Sequence, residues 1–387
     1  MTEYLPLARK YRPKTLKDLH GQDVLRDVFT AGIESGNLHH AFLFYGTRGV
    51  GKTTTARILA LSLNCQKSDK PTADPCLECK ACKATLSNTN PDIIEFDAAS
   101  NTGVDSIRRI IEECRYPNSF CRYKIYIIDE VHMLSNSAFN AFLKLLEEPP
   151  LNVKFIFATT EVKKIPMTIL SRCQKFMLNS ASSDIIKTYL TDIYKKEGYE
   201  FDEKALDIIA KYANGSFRDS LSLSETVLMH SGYKKITHDI AQKVLAIPNE
   251  EIYFELFKDL VHANVKDALN IFEKVKDFSA SELINGLMFL INEAMIAIAV
   301  KENIDPKIDE LIQNGTINMP KLHIFWDVCI QCLESLRVYQ NSNLIQVFII
   351  RVCYAINMPT VADVTKMLED DSVEKILQSF PGSRILS

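Results

Sequence analysis

Residues 46–53 read GTRGVGKT and match the GxxxxGKT phosphate loop at every specified position. Glycines let successive backbone N–H groups point at phosphate oxygens, because they adopt conformations that a Cβ forbids. Lys52 adds a mobile positive charge, and the hydroxyl of Thr53 is placed to ligate Mg²⁺. The stretch therefore predicts that the chain binds a nucleoside triphosphate.

The residues on either side of this loop have the pattern that a phosphate loop requires. The apolar run 41–45 predicts a strand, and apolar residues at i, i+3, i+4 and i+7 from Ala56 predict a helix. The N-terminus of a helix favours phosphate, so we expect the nucleotide at this strand–loop–helix junction. The predicted contacts are Gly46, Thr47, Arg48, Gly49, Val50, Gly51, Lys52, Thr53 and Thr54.

The composition is that of an ordinary globular protein. The chain has 387 residues, 47% of them hydrophobic and 24% charged, which is enough for two or three domains. The polar, basic start contains no secretory signal, and Asn292 and Glu293 interrupt the most apolar window, so we expect a cytoplasmic protein without a membrane span. The net charge of −4 leaves any nucleic-acid site to a local patch.

Four of the ten cysteines form one cluster with the spacing Cx10CxxCxxC. The predicted ligands are Cys65, Cys76, Cys79 and Cys82. Each CxxC brings two thiolates within reach of one tetrahedral Zn²⁺, so we expect a structural zinc module at about 64–86. An iron–sulfur cluster or a site without metal is the alternative, although iron–sulfur runs of this kind usually carry a further Cys close behind and a Pro.

Strand-like and helix-like segments alternate between residues 90 and 180. This alternation predicts a parallel sheet with helices on both faces. The predicted strands are 93–97, 124–129 and 153–158, and the predicted helices are 105–114 and the segment that Pro149 and Pro150 terminate. Beyond residue 180 the pattern is helical alone, with a break at 246–249.

Two carboxylates lie at the end of the strand 124–129, where a phosphate-loop ATPase needs them. We expect Asp129 to hold Mg²⁺ and Glu130 to polarise the attacking water. Thr159 and Thr160 end the next strand, which places a hydroxyl beside the γ-phosphate. Each pair is also typical of a helix cap or a polar strand end, and only together with the phosphate loop do they indicate ATP hydrolysis.

The order of these motifs resembles that of the AAA+ ATPases of sliding-clamp loaders. The matching text is ARKYRPKTLKDLHGQD (8–23), HHAFLFYGTRGVGKTTTAR (39–57), DEVHMLSNSAFNAFLKLLEEPP (129–150), FIFATTEVKKIPMTILSRCQKF (155–176), NGSFRDSLSLSE (214–225) and the four-cysteine insertion. The resemblance implies an α/β AAA+ P-loop ATPase domain at 1–179 with the zinc module inserted, and a small helical lid domain at 180–245. An all-α collar domain for oligomerisation would follow at 246–368, with a C-terminal tail at 369–387. Beyond about residue 225, the resemblance is in length and helicity alone.

The resemblance also implies roles for single residues. Thr160 matches the family's sensor-1 position, and Arg218 matches its sensor-2 contact to the bound phosphates. Arg172, in the sequence SRC, matches an arginine finger that reaches the ATP site of the neighbouring subunit. The segment beside the nucleotide base corresponds to Tyr11, Arg12 and Pro13.

DNA contact is implied at the inner surface of the clamp-loader spiral. Asn101, Lys144 and Thr168 match positions there, and such contacts go mainly to backbone phosphates. The loop 99–104 has no basic residue, so a contact from it would need polar or amide donors. Lys144 is equally typical of a solvated helix lysine.

The function implied is that of an ATP-driven motor subunit that opens a sliding clamp and loads it on primer-template DNA. Its cofactors would be ATP, Mg²⁺ and structural Zn²⁺, and its partners other clamp-loader subunits, the sliding clamp and primer-template DNA. Ser387 lies about where the collar of the family ends, so we expect either a naturally short form without the long partner-binding tail or a shortened chain.

Three alternatives stand beside this interpretation. One is a non-hydrolysing, delta-prime-like scaffold, against which the intact loop with Asp129 and Glu130 argues. Another is a zinc-bearing scaffold that binds nucleotide without turning it over. The third is a hexameric DNA-translocating AAA+ helicase, which the zinc insertion and the long C-terminal bundle disfavour.

Overall fold

Strands form where the sequence has runs of β-branched and aromatic residues. The computed structural model of the chain describes residues 5–100, 103–114, 116–245, 250–275, 279–301, 305–338, 343–356 and 358. Its five parallel strands make one sheet in the order β2-β3-β4-β1-β5. They are β1 (Ala41–Tyr45), β2 (Ile93–Asp97), β3 (Lys124–Asp129), β4 (Val153–Thr159) and β5 (Gln174–Met177).

The strand register decides which residues meet at the edge of the sheet. Ile128 of β3 pairs with Phe96 of β2 and with Phe157 of β4, and Tyr45 of β1 pairs with Thr159 of β4. Because all strands are parallel, the carboxyl ends of β1, β3 and β4 lie side by side. The loops after these strands therefore share one edge, where ligands bind in open α/β sheets.

Helices occupy both faces of the sheet and the region after it. Those of the N-terminal part are α1 (Leu7–Lys10), α2 (Asp23–Ser35), α3 (Lys52–Asn64), α4 (Lys80–Leu86), α5 (Val104–Glu113), α6 (Asn136–Glu147), α7 (Met167–Leu170), α8 (Ser183–Glu197), α9 (Glu203–Tyr212), α10 (Phe217–His230) and α11 (His238–Val244). Short 3₁₀ turns cover Leu16–Asp18, Val131–Met133 and Val162–Lys164.

Alternate strand residues point to opposite faces and fill two cores. Phe42 and Ile127 pack with α2 and α3 on one face, whereas Leu43 and Tyr126 pack with α5 and α6 on the other. All four side chains are fully buried. Full burial of a large apolar side chain contributes about 1.5–3 kcal/mol, so the two cores fix the sheet between its helix layers.

The parallel sheet with helices on both faces confirms that part of the sequence prediction. Several elements were not predicted, and two of them lie close to features that the sequence analysis did identify. The edge strand β5 has little apolar character, since three of its four residues are exposed. The seven-residue α4 lies inside the cysteine-rich segment, where the polar composition hides it. The predicted break at 246–249 lies outside the described residues.

The chain divides into two compact units, Met1–Ala241 and Gln242–Ser387. The second has α12 (Glu250–Val261), α13 (Val265–Val275), α14 (Ala280–Val300), α15 (Pro306–Gln313), α16 (Met319–Val338) and α17 (Asn343–Ile356). These helices surround one apolar core. Gly286 of α14 lets the Tyr253 ring of α12 come close, because a Cβ there would lie 2.2 Å from Tyr253 Cε1.

Helix α14 is long and apolar enough to cross a membrane by length and composition. Leu283, Leu287 and Ile291 of this helix are nevertheless buried in the core of the second unit. A core helix of a bundle passes the same test, so α14 is not evidence for a membrane span.

Candidate functional site

The phosphate loop joins the end of β1 to the start of α3. Gly46 has φ 153° and Gly49 has φ 80°, values that favour glycine. A Cβ on Gly46 would lie 2.3 Å from the carbonyl oxygen of Leu178, and one on Gly49 would lie 1.9 Å from Ser216 Oγ. The loop is therefore pressed against the segment after β5 and against the N-terminal cap of α10, and a larger residue at either position would force them apart.

Lys52 is the first residue of α3 and is almost fully buried. Its Nζ donates hydrogen bonds to the carbonyl oxygens of Gly46 (3.0 Å) and Thr47 (2.8 Å). Burial lowers the pKa of Lys52, while the nearby carboxylates of Glu130 and Asp129 act in the opposite direction. The ammonium group thus lies within the loop, at the positive end of the α3 dipole.

The carboxylate of Asp129 is held from both sides. Thr53 Oγ1 donates to Asp129 Oδ2 at 2.6 Å, and the backbone N–H of Glu130 donates to Asp129 Oδ1 at 2.9 Å. A hydroxyl and a carboxylate in contact are the hard oxygen ligands that Mg²⁺ prefers, so these residues fit a magnesium ion. They lie on two different elements, α3 and β3, which the sheet brings together.

Glu130 leaves the end of β3 with a left-handed backbone, φ 45° and ψ 44°. Such a conformation is uncommon for a residue with a Cβ, and it turns the side chain sharply away from the strand direction. Its Oε2 accepts hydrogen bonds from the backbone N–H of Thr160 (3.3 Å) and from Thr160 Oγ1 (3.1 Å). The structure therefore brings Glu130 and Thr160 together beside Asp129.

The segment Tyr11–Pro13 lies between α3 and α8. Arg12 Nε donates to Thr54 Oγ1 at 3.2 Å, and Tyr11 Oη donates to the carboxylate of Glu197 at the end of α8. Burial lowers the pKa of Arg12, and the nearby positive charges of Arg57 and Arg218 lower it further. The Arg12 side chain is thus placed at the first turn of the phosphate-loop helix, in a cluster of positive charge.

The hydrogen-bond partners of Arg172 lie outside the phosphate loop and its neighbouring carboxylates. Its guanidinium donates to the carbonyl oxygen of Thr168 (2.7 Å) and forms an ion pair with Glu147 at the end of α6. None of these partners belongs to the group formed by the phosphate loop, Asp129, Glu130 and Thr160. The exposed Arg218 is the second residue of α10, whose N-terminal cap Ser216 lies against Gly49 of the phosphate loop.

Two of the three predicted DNA-contacting residues lie in the described part of the chain. Lys144 on α6 and Thr168 on α7 are both exposed. Asn101 lies outside the described residues.

One residue near Glu130 was missed by the sequence analysis. The ring of His132 has Nδ1 3.0 Å from Thr159 Oγ1 and 3.4 Å from Glu130 Oε2. The signal was its place two residues after the Asp-Glu pair, within DEVH. A histidine at that distance from a strand end has no fixed direction in sequence, so only the fold shows what it contacts.

The four clustered cysteines converge in space. The Sγ atoms of Cys65, Cys76, Cys79 and Cys82 all lie within 4.8 Å of one another. Four sulfurs around a tetrahedral Zn²⁺ at about 2.3 Å are separated by roughly 3.8 Å, so the arrangement fits one such ion. The N–H of Cys76 points at Cys65 Sγ (3.4 Å), and that of Cys79 at Cys76 Sγ (3.3 Å).

Backbone donors of this kind stabilise a thiolate. The N–H groups of Glu78 and Cys79 lower the pKa of Cys76 to about 6, whereas burial raises the pKa of Cys82. Thiolates are the form of cysteine that binds metal. The donor set thus suits a soft metal ion held by sulfur alone.

The cysteine cluster is tied to the segment that leads into β3. Asn64, the last residue of α3, donates to the carbonyl oxygen of Tyr123 and accepts from its N–H, both at 2.9 Å. The Arg122 guanidinium donates to the carbonyl oxygens of Leu63 (2.9 Å), Cys65 and Ser68. The cluster is therefore fixed against the ATPase sheet by both backbone and side-chain contacts.

Comparison with known proteins places this geometry in a family. The chain is 45% identical over 296 residues to the DNA polymerase III subunit gamma of Buchnera aphidicola subsp. Schizaphis graminum, and the match covers 76% of this chain and 81% of that subunit. The chain belongs to the DNA polymerase III gamma/tau family. The DNA polymerase III subunit tau of Escherichia coli is 42% identical over 261 residues, which are 67% of this chain and 40% of that subunit.

Three family models match successive parts of this chain. Residues 21–182 match "DNA polymerase III, delta subunit", and residues 185–232 match "DNA polymerase III clamp loader subunit, ATPase lid domain". Residues 236–368 match "DNA polymerase III subunits gamma and tau domain III". Among solved structures, the Thermotoga maritima RuvB Holliday junction branch migration motor matches with a TM-score of 0.46 at 19% identity, covering 65% of this chain and 79% of that one.

The contacts of Arg122 can be tested by substitution. Arg122→Ala removes the donors to three carbonyl oxygens, and we expect it to lower the free energy of unfolding by about 1–3 kcal/mol. In metal-free protein, the thiols of Cys76 and Cys79 should then react faster with a thiol reagent. Arg26→Ala is the matched control, because Arg26 pairs with exposed carboxylates on its own helix. Unchanged stability and unchanged thiol reactivity in Arg122→Ala would contradict this account of the contacts.

Proposed function

We propose that the chain is an ATP-driven motor subunit of a bacterial sliding-clamp loader. The observation that carries this proposal is the contact of Thr53 with Asp129, and of Glu130 with Thr160, beside an intact phosphate loop in a gamma/tau chain. ATP binding between subunits would favour an assembly that opens the sliding clamp and accepts primer-template DNA. Hydrolysis would then release the clamp on the DNA.

Each residue of the site has a part in this reaction. The N–H groups of residues 46–54 and the Lys52 ammonium bind the phosphates and hold the γ-phosphate in place. Thr53 and Asp129 hold Mg²⁺, which neutralises developing negative charge when bound. Glu130 orients the attacking water and accepts its proton. Thr160, as the sensor-1 residue, donates a hydrogen bond to the Glu130 carboxylate and would lie beside the γ-phosphate.

Two arginines complete the site under this proposal. Arg218 contacts the bound phosphates of its own chain as the sensor-2 residue. Arg172 serves the ATP site of a neighbouring subunit, which agrees with its contacts to Thr168 and Glu147 rather than to its own phosphate loop. Tyr11, Arg12 and Pro13 border the nucleotide on the side of the N-terminal segment.

The partners follow from the same proposal. They are the delta and delta-prime subunits, further gamma/tau copies, the sliding clamp and primer-template DNA, and the protein would act in the cytoplasm. Lys144, Thr168 and Asn101 are proposed to face DNA. The proposed domains are the ATPase domain 1–179, the lid 180–245, the collar 246–368 and the tail 369–387.

We further propose that Cys65, Cys76, Cys79 and Cys82 hold one structural Zn²⁺. The mutual distance of the four sulfurs and the backbone N–H groups directed at them support this assignment. All four ligands come from the protein, so no position is left for water, and the role is structural rather than catalytic.

ATP turnover tests the motor proposal. The chain alone should hydrolyse ATP weakly, because Arg172 has to come from a neighbour. Turnover should rise strongly with partner subunits, clamp and primed DNA, and Glu130→Gln should abolish it without abolishing ATP binding. Equal turnover with and without the partners and DNA would exclude the motor role. No turnover under any condition would favour the non-hydrolysing scaffold.

Mixed assemblies test the role of Arg172. Arg172→Ala should reduce hydrolysis in assemblies by about 10³-fold, with ATP binding by the mutated chain nearly intact. A chain with Lys52→Ala should also be inactive, because its phosphate loop no longer binds the phosphates, although its Arg172 is intact. Mixing the two variants should restore part of the activity, because intact loops then meet intact arginines. If mixing restores nothing and Arg172→Ala loses ATP binding, the arginine acts in its own chain.

Metal analysis tests the zinc site. Purified protein should contain one zinc per chain, and the four clustered thiols should resist titration until a chelator is added. Cys79→Ser should lose most of the zinc and lower the melting temperature, whereas Cys329→Ser, in the core of the second unit, should keep the zinc. Iron with sulfide, or four freely titrating thiols without metal, would overturn the assignment.

A further inference from the structure

His132 is a buried histidine whose two ring nitrogens both face polar groups. It sits in the 3₁₀ turn Val131–Met133 just after β3, and its side chain is 7% exposed. Nδ1 lies 3.0 Å from Thr159 Oγ1 and 3.4 Å from Glu130 Oε2, and Nε2 lies 3.4 Å from Glu161 Oε1. Buried polar groups normally have such partners, and here the partners lie on two different loops.

The ring continues the connection between β3 and β4 beyond the strand ladder. The ladder between these strands ends at the pair Ile128 and Phe157. Past that point, the contacts of His132 join Glu130, after β3, to Thr159 and Glu161, at and after the end of β4. Two loops that carry site residues are thereby held at a fixed separation.

Glu130 needs such a contact because its own backbone does not fix its carboxylate. The residue is in the left-handed region, where a side chain is strained and is kept in place only by its surroundings. Thr160 donates two hydrogen bonds to Oε2, and the His132 ring packs against the same oxygen. These residues therefore hold the Glu130 carboxylate through Oε2.

The sequence neighbours of His132, Val131 and Leu134, pack in the core between the sheet, α5 and α6. The described contacts of the His132 ring are instead to hydroxyl and carboxylate oxygens at the carboxyl edge of the sheet.

We propose that His132 is a positioning residue for ATP hydrolysis, which through Nδ1 holds the Glu130 carboxylate and Thr159 in register. The inference rests on the proposed function, in which Glu130 orients the attacking water. Loss of the ring nitrogen lets the carboxylate turn away from the water, so turnover falls. Phosphate binding depends on the loop 46–54 and not on this contact, so ATP affinity stays.

A pair of conservative substitutions separates the two ring nitrogens. His132→Asn places an amide nitrogen near the position of Nδ1, and His132→Gln places one near the position of Nε2. In the full chain assembled with partner subunits, clamp and primed DNA, His132→Ala and His132→Gln should lower kcat by about 10- to 100-fold. His132→Asn should stay within about 3-fold of the wild-type kcat, and all three variants should bind Mg-ATP within about 3-fold of wild type.

The controls separate this inference from the function on which it rests. Wild-type turnover together with an inactive Glu130→Gln establishes the role of Glu130, and its failure removes both proposals. His238→Ala, at a half-exposed histidine that begins α11, should leave kcat unchanged. If Glu130→Gln is inactive but His132→Ala turns over normally, the positioning role alone is wrong. It is also wrong if His132→Asn is as inactive as His132→Gln, or if ATP affinity falls in step with kcat. Should His132→Ala unfold, the comparison of Asn with Gln still decides.

Discussion

The parallel pairing of β3 with β4 is the constraint on which the rest of the site depends. Parallel strands end at the same edge of the sheet, so Asp129 and Thr159, which lie thirty residues apart in sequence, finish side by side. The phosphate loop arrives at that edge from β1, on the other side of β4. A hydroxyl from α3, two carboxylates at the end of β3 and a threonine after β4 can therefore meet although the three elements are far apart in the chain.

The phosphate loop is also held by the helical part of the same unit. Ser216 caps the N-terminus of α10 by accepting the N–H of Asp219, and its Oγ lies against Gly49. Thr47 Oγ1 forms a hydrogen bond with Ser180 Oγ at 2.8 Å. The loop thus touches the start of the lid helices on one side and the sheet on the other. A change in the shape of the loop would therefore displace the start of α10, because Gly49 and Ser216 are in direct contact.

Sequence analysis predicted the features that local patterns carry. GTRGVGKT, the Asp-Glu pair and the CxxC spacing are readable because the chemistry fixes both residue type and distance along the chain. The contacts of Glu130 with Thr160, of His132 with Thr159 and of Arg122 with Cys65 depend on strand register and loop direction, which no local pattern encodes. Strand β5 was missed for a different reason. It is short and mostly exposed, so its composition does not predict a strand. Its strand conformation depends on its pairing with β1.

Helix α3 is fastened to β3 at both of its ends. Thr53 is bonded to Asp129 at one end, and Asn64 is bonded to Tyr123 at the other, next to the cysteine cluster. With 13 residues, α3 is a rod of about 20 Å, and a swing of about 5° about one end would move the other by nearly 2 Å. The contacts of Asn64 with Tyr123 and of Arg122 with Leu63 therefore limit such a swing. The position of the phosphate loop at the start of α3 depends in part on bonds made at the opposite edge of the sheet.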